Sequence, residues 1–154
     1  MGAAVLGVCL ALAASLPPGA EFADPPAAAG TVTVRFVPQA RFTLAWTHSI
    51  EKTRWEEDYR IEQPASGPPA LVLERARIRG SGAGMEPPAG AVLRQGWYEY
   101  VPRTQPRGAL RLSRAPYVAD YEWCDSGDCR PLGDWLASDG GVTLLWACQG
   151  RAGT

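Results

Sequence analysis

The sequence predicts an all-β fold, a single antiparallel β-sandwich or a partly closed barrel. Short runs rich in branched and aromatic residues recur along the chain, and several alternate apolar with polar positions. Gly (17) and Pro (14) punctuate these runs where turns belong. No window carries a helical period of useful length, so nothing is available to cross over between parallel strands. At 154 residues the chain suits one core.

The chain opens on an uncharged, Ala/Leu/Val-rich run from Ala3 to Leu16, followed by Pro17-Pro18-Gly19. Its length matches the apolar core of a secretory signal and falls short of the ~20 residues a membrane-spanning helix needs. No Lys or Arg precedes the run, and Ala13-Ala14-Ser15 offers a small-residue cleavage site. Residues 1–16 are therefore read as a signal peptide-like segment, 17–30 as a Pro/Ala/Gly-rich spacer, and 31–149 as the β-rich domain.

The strands follow in order. Thr31 to Val37 alternates, with Val32, Val34 and Phe36 on one face. Arg41 to His48 does the same with Phe42, Leu44, Trp46 and His48. Glu57 to Glu62, Leu71 to Ile78, Trp97 to Val101, Ala109 to Leu112, Tyr117 to Cys124 and Val142 to Cys148 are each strand length and bounded by turn residues. Arg130 to Leu136 is expected to form one helical turn.

A formal net charge of -1, with Arg scattered among acidic residues, excludes a nucleic-acid or basic membrane-surface partner. Of the four cysteines, Cys9 falls in the leader, leaving Cys124, Cys129 and Cys148. Three pairings are open, each leaving one free thiol. A Cys124–Cys129 bridge is preferred, because Asp125-Ser126-Gly127-Asp128 between them is a tight run of turn residues. One histidine and three cysteines make a poor zinc set, and the sequence implies no cofactor.

The only histidine and the only lysine stand four residues apart in Thr47-His48-Ser49-Ile50-Glu51-Lys52-Thr53. Every other basic residue is Arg, so the single Lys marks a place to look, where it either caps a surface turn or supplies a compact point charge. His48 follows Trp46 onto the buried face near the strand end. There it serves either as a partly buried structural histidine or at the mouth of a pocket, with Lys52 and Glu51, Glu56 or Glu57 nearby. The carboxylates Glu51, Glu56, Glu57 and Asp58 around Lys52 and Arg54 read as a solvated, ion-paired face. Ser49 points away from its neighbour's imidazole, and Ser81 lacks the outer glycines of a nucleophile elbow. The run Gly80-Ser81-Gly82-Ala83-Gly84 fits neither a Walker loop nor a dinucleotide fingerprint; it permits a bulge, or a nest of N–H groups for an anion.

The His48 stretch with Trp55-Glu56-Glu57, followed by Gly80-Ser81-Gly82-Ala83-Gly84-Met85-Glu86-Pro87-Pro88, resembles the bacterial domain of unknown function 1850 family across roughly Thr31 to Cys148. That resemblance implies a small exported, periplasmic or membrane-associated protein encoded beside TRAP transporters of the TAXI type. It places weight on His48, Glu51, Lys52, Gly82 and Gly84. The reading that follows is a non-enzymatic accessory module binding a TRAP transporter subunit or a small anionic ligand. Its ligand residues are His48, Glu51, Lys52, Glu57, Gly82 and Gly84. Against it stand a small hydrolase or metal-dependent enzyme using His48 with Glu51 or Glu57, and a purely structural envelope module.

Overall fold

The computed structural model describes residues 2–23, 25–26, 32–48, 50, 52–80 and 88–151. Its strands are β1 (Ala4–Leu12), β2 (Arg35–Val37), β3 (Arg41–Thr47), β4 (Arg54–Glu62), β5 (Ala70–Arg79), β6 (Val92–Arg94), β7 (Trp97–Tyr100), β8 (Leu110–Ser113), β9 (Glu122–Asp125), β10 (Asp128–Pro131) and β11 (Val142–Arg151). They form two antiparallel sheets, ordered β2-β1-β11-β8 and β10-β9-β3-β4-β5-β7-β6. The sheets stack as an open sandwich, so the barrel alternative is not adopted. Among the described residues the helical pieces are short turns at Ala13–Ser15, Ala20–Phe22 and Leu132–Asp134.

The core lies between the sheets. Alternation along β3 and β4 turns Phe42, Leu44, Tyr59 and Ile61 inward, where they meet Val8 and Leu10 of β1 and Leu145 of β11. The Phe42 ring stacks on Trp123 at 4.2 Å and on Tyr59 at 5.3 Å. The Trp123 indole N–H donates to Gln39 at 2.8 Å, so its burial leaves no polar atom stranded.

The four-stranded sheet is buried on both faces. Its outer side carries a second apolar cluster of Cys9, Ala11, Leu16, Leu144 and Trp146, covered by Val32, Val34 and Phe36. A strand buried on both sides reads as a continuous apolar run. This is why the Ala/Leu/Val run expected as a leader is, in the structure, strand β1, paired with β11 along its whole length from Ala4 to Leu12. Gly7 and Gly150 sit under the Phe36 ring. A Cβ at Gly150 would lie 2.5–2.6 Å from three of its carbons, so only glycine allows the ring to close over this face.

The cysteine expectation is corrected by the same strand. Cys9 bonds to Cys148 diagonally across β1 and β11, and Cys124 bonds to Cys129, so no described cysteine is free. Other differences are local. Of the run expected over Thr31 to Val37, the described residues from Val32 on pair only over Arg35–Val37, with Val32 and Val34 packed on the outer cluster. Tyr117 to Cys124 is strand only from Glu122, because Arg114 and Asp120 draw the preceding residues into a loop.

Cys9–Cys148 closes a loop of 139 residues between the chain's first and last strands. Replacing Cys148→Ser is expected to lower unfolding free energy by about 3 kcal/mol, read from urea denaturation under non-reducing conditions.

Candidate functional site

His48 sits at the base of the β3–β4 hairpin. Its N–H donates to the Thr53 carbonyl at 2.8 Å, and its carbonyl accepts from the Lys52 N–H at 2.9 Å. Closing this turn puts Lys52 at φ 57°, a left-handed backbone held by an exposed side chain at the loop end. The Ile50 N–H donates to His48 Nδ1 at 3.3 Å, so this nitrogen acts as an acceptor. The imidazole stacks on Trp55 with centroids 5.5 Å apart. His48 thus caps its own turn and also presents a ring on the inner face of the large sheet.

That face is aromatic here. Trp46 lies 6.1 Å from Trp55 and 5.9 Å from Tyr121, ring to ring. A cleft of about 330 Å³ opens between the hairpin and the loop before β9, lined by Trp46, His48, Ser113, Tyr117, Val118 and Tyr121. Its rim is apolar and exposed, with Tyr117 88% and Val118 41% accessible. Among the described residues its lining includes no Arg or Lys.

The far wall is held by a residue that sequence reading passed over. Arg114 is buried and donates from Nε and Nη2 to both carboxylate oxygens of Asp120, at 2.9 and 2.8 Å. Its Nη1 donates to Thr143 Oγ1 and the Leu136 carbonyl. Burial pushes the Asp120 carboxyl up, but the Arg114 bonds and the Gly133 and Tyr121 N–H groups outweigh it, holding the group below the usual carboxylate range. The clamp anchors the loop carrying Tyr117 and Val118. Its only signal in sequence is an Arg and an Asp six residues apart, the Asp inside the run read as strand from Tyr117 to Cys124.

Glu57 also faces inward, paired with Leu44 and Ala76. It accepts from the Tyr59 hydroxyl at 2.8 Å. Burial pushes its carboxyl up, and the Tyr59 bond only partly offsets this. Burial, and then the Glu57 charge, raise the phenols of Tyr59, Tyr100 and Tyr121. The other described carboxylates of the cluster, Glu56 and Asp58, point to the outer face. There Arg77 donates to both oxygens of Asp58 at 2.6 and 2.8 Å, and Arg54 bonds to Glu56 at 2.8 Å. Alternation along β4 therefore separates Glu57 from its neighbours.

Of the residues expected to form one site, Glu51, Gly82 and Gly84 lie outside the described residues. Lys52 is exposed on the hairpin, and His48 and Glu57 share the inner face. His48 stands opposite Thr53, four residues before Glu57, which places the two roughly 13 Å apart along the strand. Gly80, where the glycine run leaves β5, donates to Gly96 at 2.6 Å. Ile78 pairs with Trp55, so the run departs from the same end of the sheet as the His48 hairpin.

The family model for the domain of unknown function DUF1850 matches residues 42–132, more than half the chain and the strands from Phe42 in β3 to the end of β10. The chain belongs to that family. The DUF1850 match therefore spans the His48 hairpin, Glu57, the glycine run and the Cys124–Cys129 bridge, and leaves β1 and β11 outside it. No curated protein and no solved structure matches the chain.

Two outcomes test this geometry. Arg114→Met should destabilise the fold by about 3 kcal/mol in urea denaturation, because it leaves Asp120 without its buried partner. Glu57 has a folded pKa above its unfolded value, so its contribution to stability is full below about pH 4.3 and is lost as pH rises through the folded pKa. Glu57→Gln should therefore gain stability relative to the native chain as pH rises towards neutrality, with no such gain in acid.

Proposed function

We propose that this DUF1850 protein is an exported, non-enzymatic accessory module that docks a component of a TRAP-type transporter at the His48 cleft. The observation that carries the reading is the cleft's construction, an aromatic floor with Tyr117 and Val118 exposed at its rim. Exposed apolar side chains around an aromatic pocket suit a protein surface. A small organic anion suits it less, since the described lining offers no Arg or Lys and the inner face already carries Glu57.

The separation of His48 from Glu57, with Trp55 between them on the same face, supports binding over acid–base catalysis by that pair. Two disulfides are compatible with export. The proposal carries retention of β1 with it, because cleavage after residue 16 would remove Cys9 and the strand that pairs with β11.

Co-purification of the tagged chain with the membrane and binding subunits of a neighbouring TRAP transporter tests the reading. Replacing Tyr117→Ser and Val118→Ser together should weaken association about tenfold or more, as for rim and anchor residues of an interface. The melting temperature should hardly move, since both side chains are exposed. No association with either subunit would overturn the reading. A rise in melting temperature with dicarboxylates in its place would select the small-anion alternative.

A further inference from the structure

The two disulfides of this chain are built differently. Cys9–Cys148 ties the first strand to the last within an apolar cluster. Cys124–Cys129 lies on the opposite, outer face of the large sheet, bridging directly opposed residues of the β9–β10 hairpin. β10 is an edge strand exposed along its whole length, so Cys129 is open to solvent while Cys124 is buried. Ser126 and Gly127, at φ 52° and 89°, make the two-residue turn that brings the cysteines face to face.

Arg54 is arranged around this bond. Its Nε donates to Glu56 at 2.8 Å, its Nη1 to Glu122, and its Nη2 lies 3.8 Å from Cys124 Sγ and 3.7 Å from Cys129 Sγ. Two carboxylates thus orient the guanidinium so that its remaining nitrogen faces both sulfurs. A disulfide sulfur is a weak acceptor and carries no charge, so the oxidised form gains little from this contact. A thiolate in the same place gains a charge-assisted hydrogen bond. The arrangement therefore favours the reduced form relative to the oxidised one. The carboxylates of Asp125 and Asp128 flank the hairpin tip, but both are exposed, where water screens them.

We propose that Cys124–Cys129 is a thiol–disulfide exchange site for a protein dithiol, and that Arg54 is its positioning residue, while Cys9–Cys148 is a structural bond. One thiolate of the dithiol attacks the exposed Cys129 Sγ and forms a mixed disulfide. The S–S bond breaks, and its electron pair leaves on Cys124 Sγ as a thiolate facing Arg54 Nη2. The second thiolate of the dithiol then attacks its own sulfur in the mixed disulfide and releases Cys129 as thiolate. The dithiol is oxidised to its disulfide by two electrons, and the hairpin is reduced by the same two. A lower-pKa leaving thiol departs faster, which is the kinetic consequence of the guanidinium.

Equilibration of the whole chain in graded dithiothreitol redox buffers, with alkylation and mass spectrometry of each cysteine, tests the assignment. Cys124–Cys129 should be half-reduced at a reduced-to-oxidised ratio at least about tenfold lower than Cys9–Cys148, equivalent to some 30 mV. Joint reduction, or earlier reduction of Cys9–Cys148, would overturn it. Arg54→Met should slow reduction of the hairpin bond about tenfold, with Arg54→Lys retaining part of the rate. Because Arg54→Met also unpairs two carboxylates, a second measurement uses a lone thiol. In Cys129→Ser, thiolate absorbance should show Cys124 titrating below the free-cysteine value of about 8.5. Titration at or above that value would remove the role of Arg54.

Discussion

The pairing of β1 with β11, buried on both faces and bonded through Cys9 and Cys148, is the constraint on which the other elements rest. It joins the first strand to the last along nine residue pairs and supplies the inner surface that Phe42, Tyr59 and Trp123 pack against. It also supplies the outer surface over which Phe36 closes, a closure that Gly7 and Gly150 alone permit. Because the two strands are the centre of the smaller sheet, the segments carrying β2 and β8 add at its edges. The core thus depends on residues that the family match, over 42–132, does not reach.

A four-stranded sheet over a seven-stranded one leaves part of the larger sheet's inner face without cover. Trp46, Trp55, Tyr98, Tyr100, Glu57 and His48 fall there, each partly accessible. The Arg114–Asp120 clamp then folds the loop before β9 beside the hairpin and turns this uncovered strip into a cleft. On the other side of the same sheet, the charges of β4 and β5 pair with one another and with Arg54, up to the Cys124–Cys129 hairpin. One sheet therefore carries two surfaces of opposite character, an apolar face with few charges and an ion-paired face bearing a disulfide.

Legibility followed burial. Strands exposed on one face alternate, and β3, β4, β5 and β7 could be read from that alternation with ends displaced by only a few residues. β1 could not, because burial on both sides erases alternation and makes a strand resemble a signal core. β6 and β10 are short edge strands of three and four residues, exposed throughout, with no apolar pattern to recognise. The turn residues between Cys124 and Cys129 pointed to their pairing, whereas the partner of Cys148 depended on a strand that was read as a leader.

The sequence by itself determined the all-β class, the inward placing of His48, and the tight Cys124–Cys129 turn. Each follows from a local rule, the two-residue period of a strand or the backbone demands of a turn. Glu57, read with its neighbours as part of a solvated face, turns inward only in the structure. Only the tertiary structure decided that residues 4–12 are a core strand, that Cys9 meets Cys148, and that Arg114 shapes the cleft wall. It also decided that Arg54 faces a disulfide about seventy positions away. These are contacts between distant segments, set by which strand pairs with which and how widely each sheet extends, and no local pattern encodes that choice.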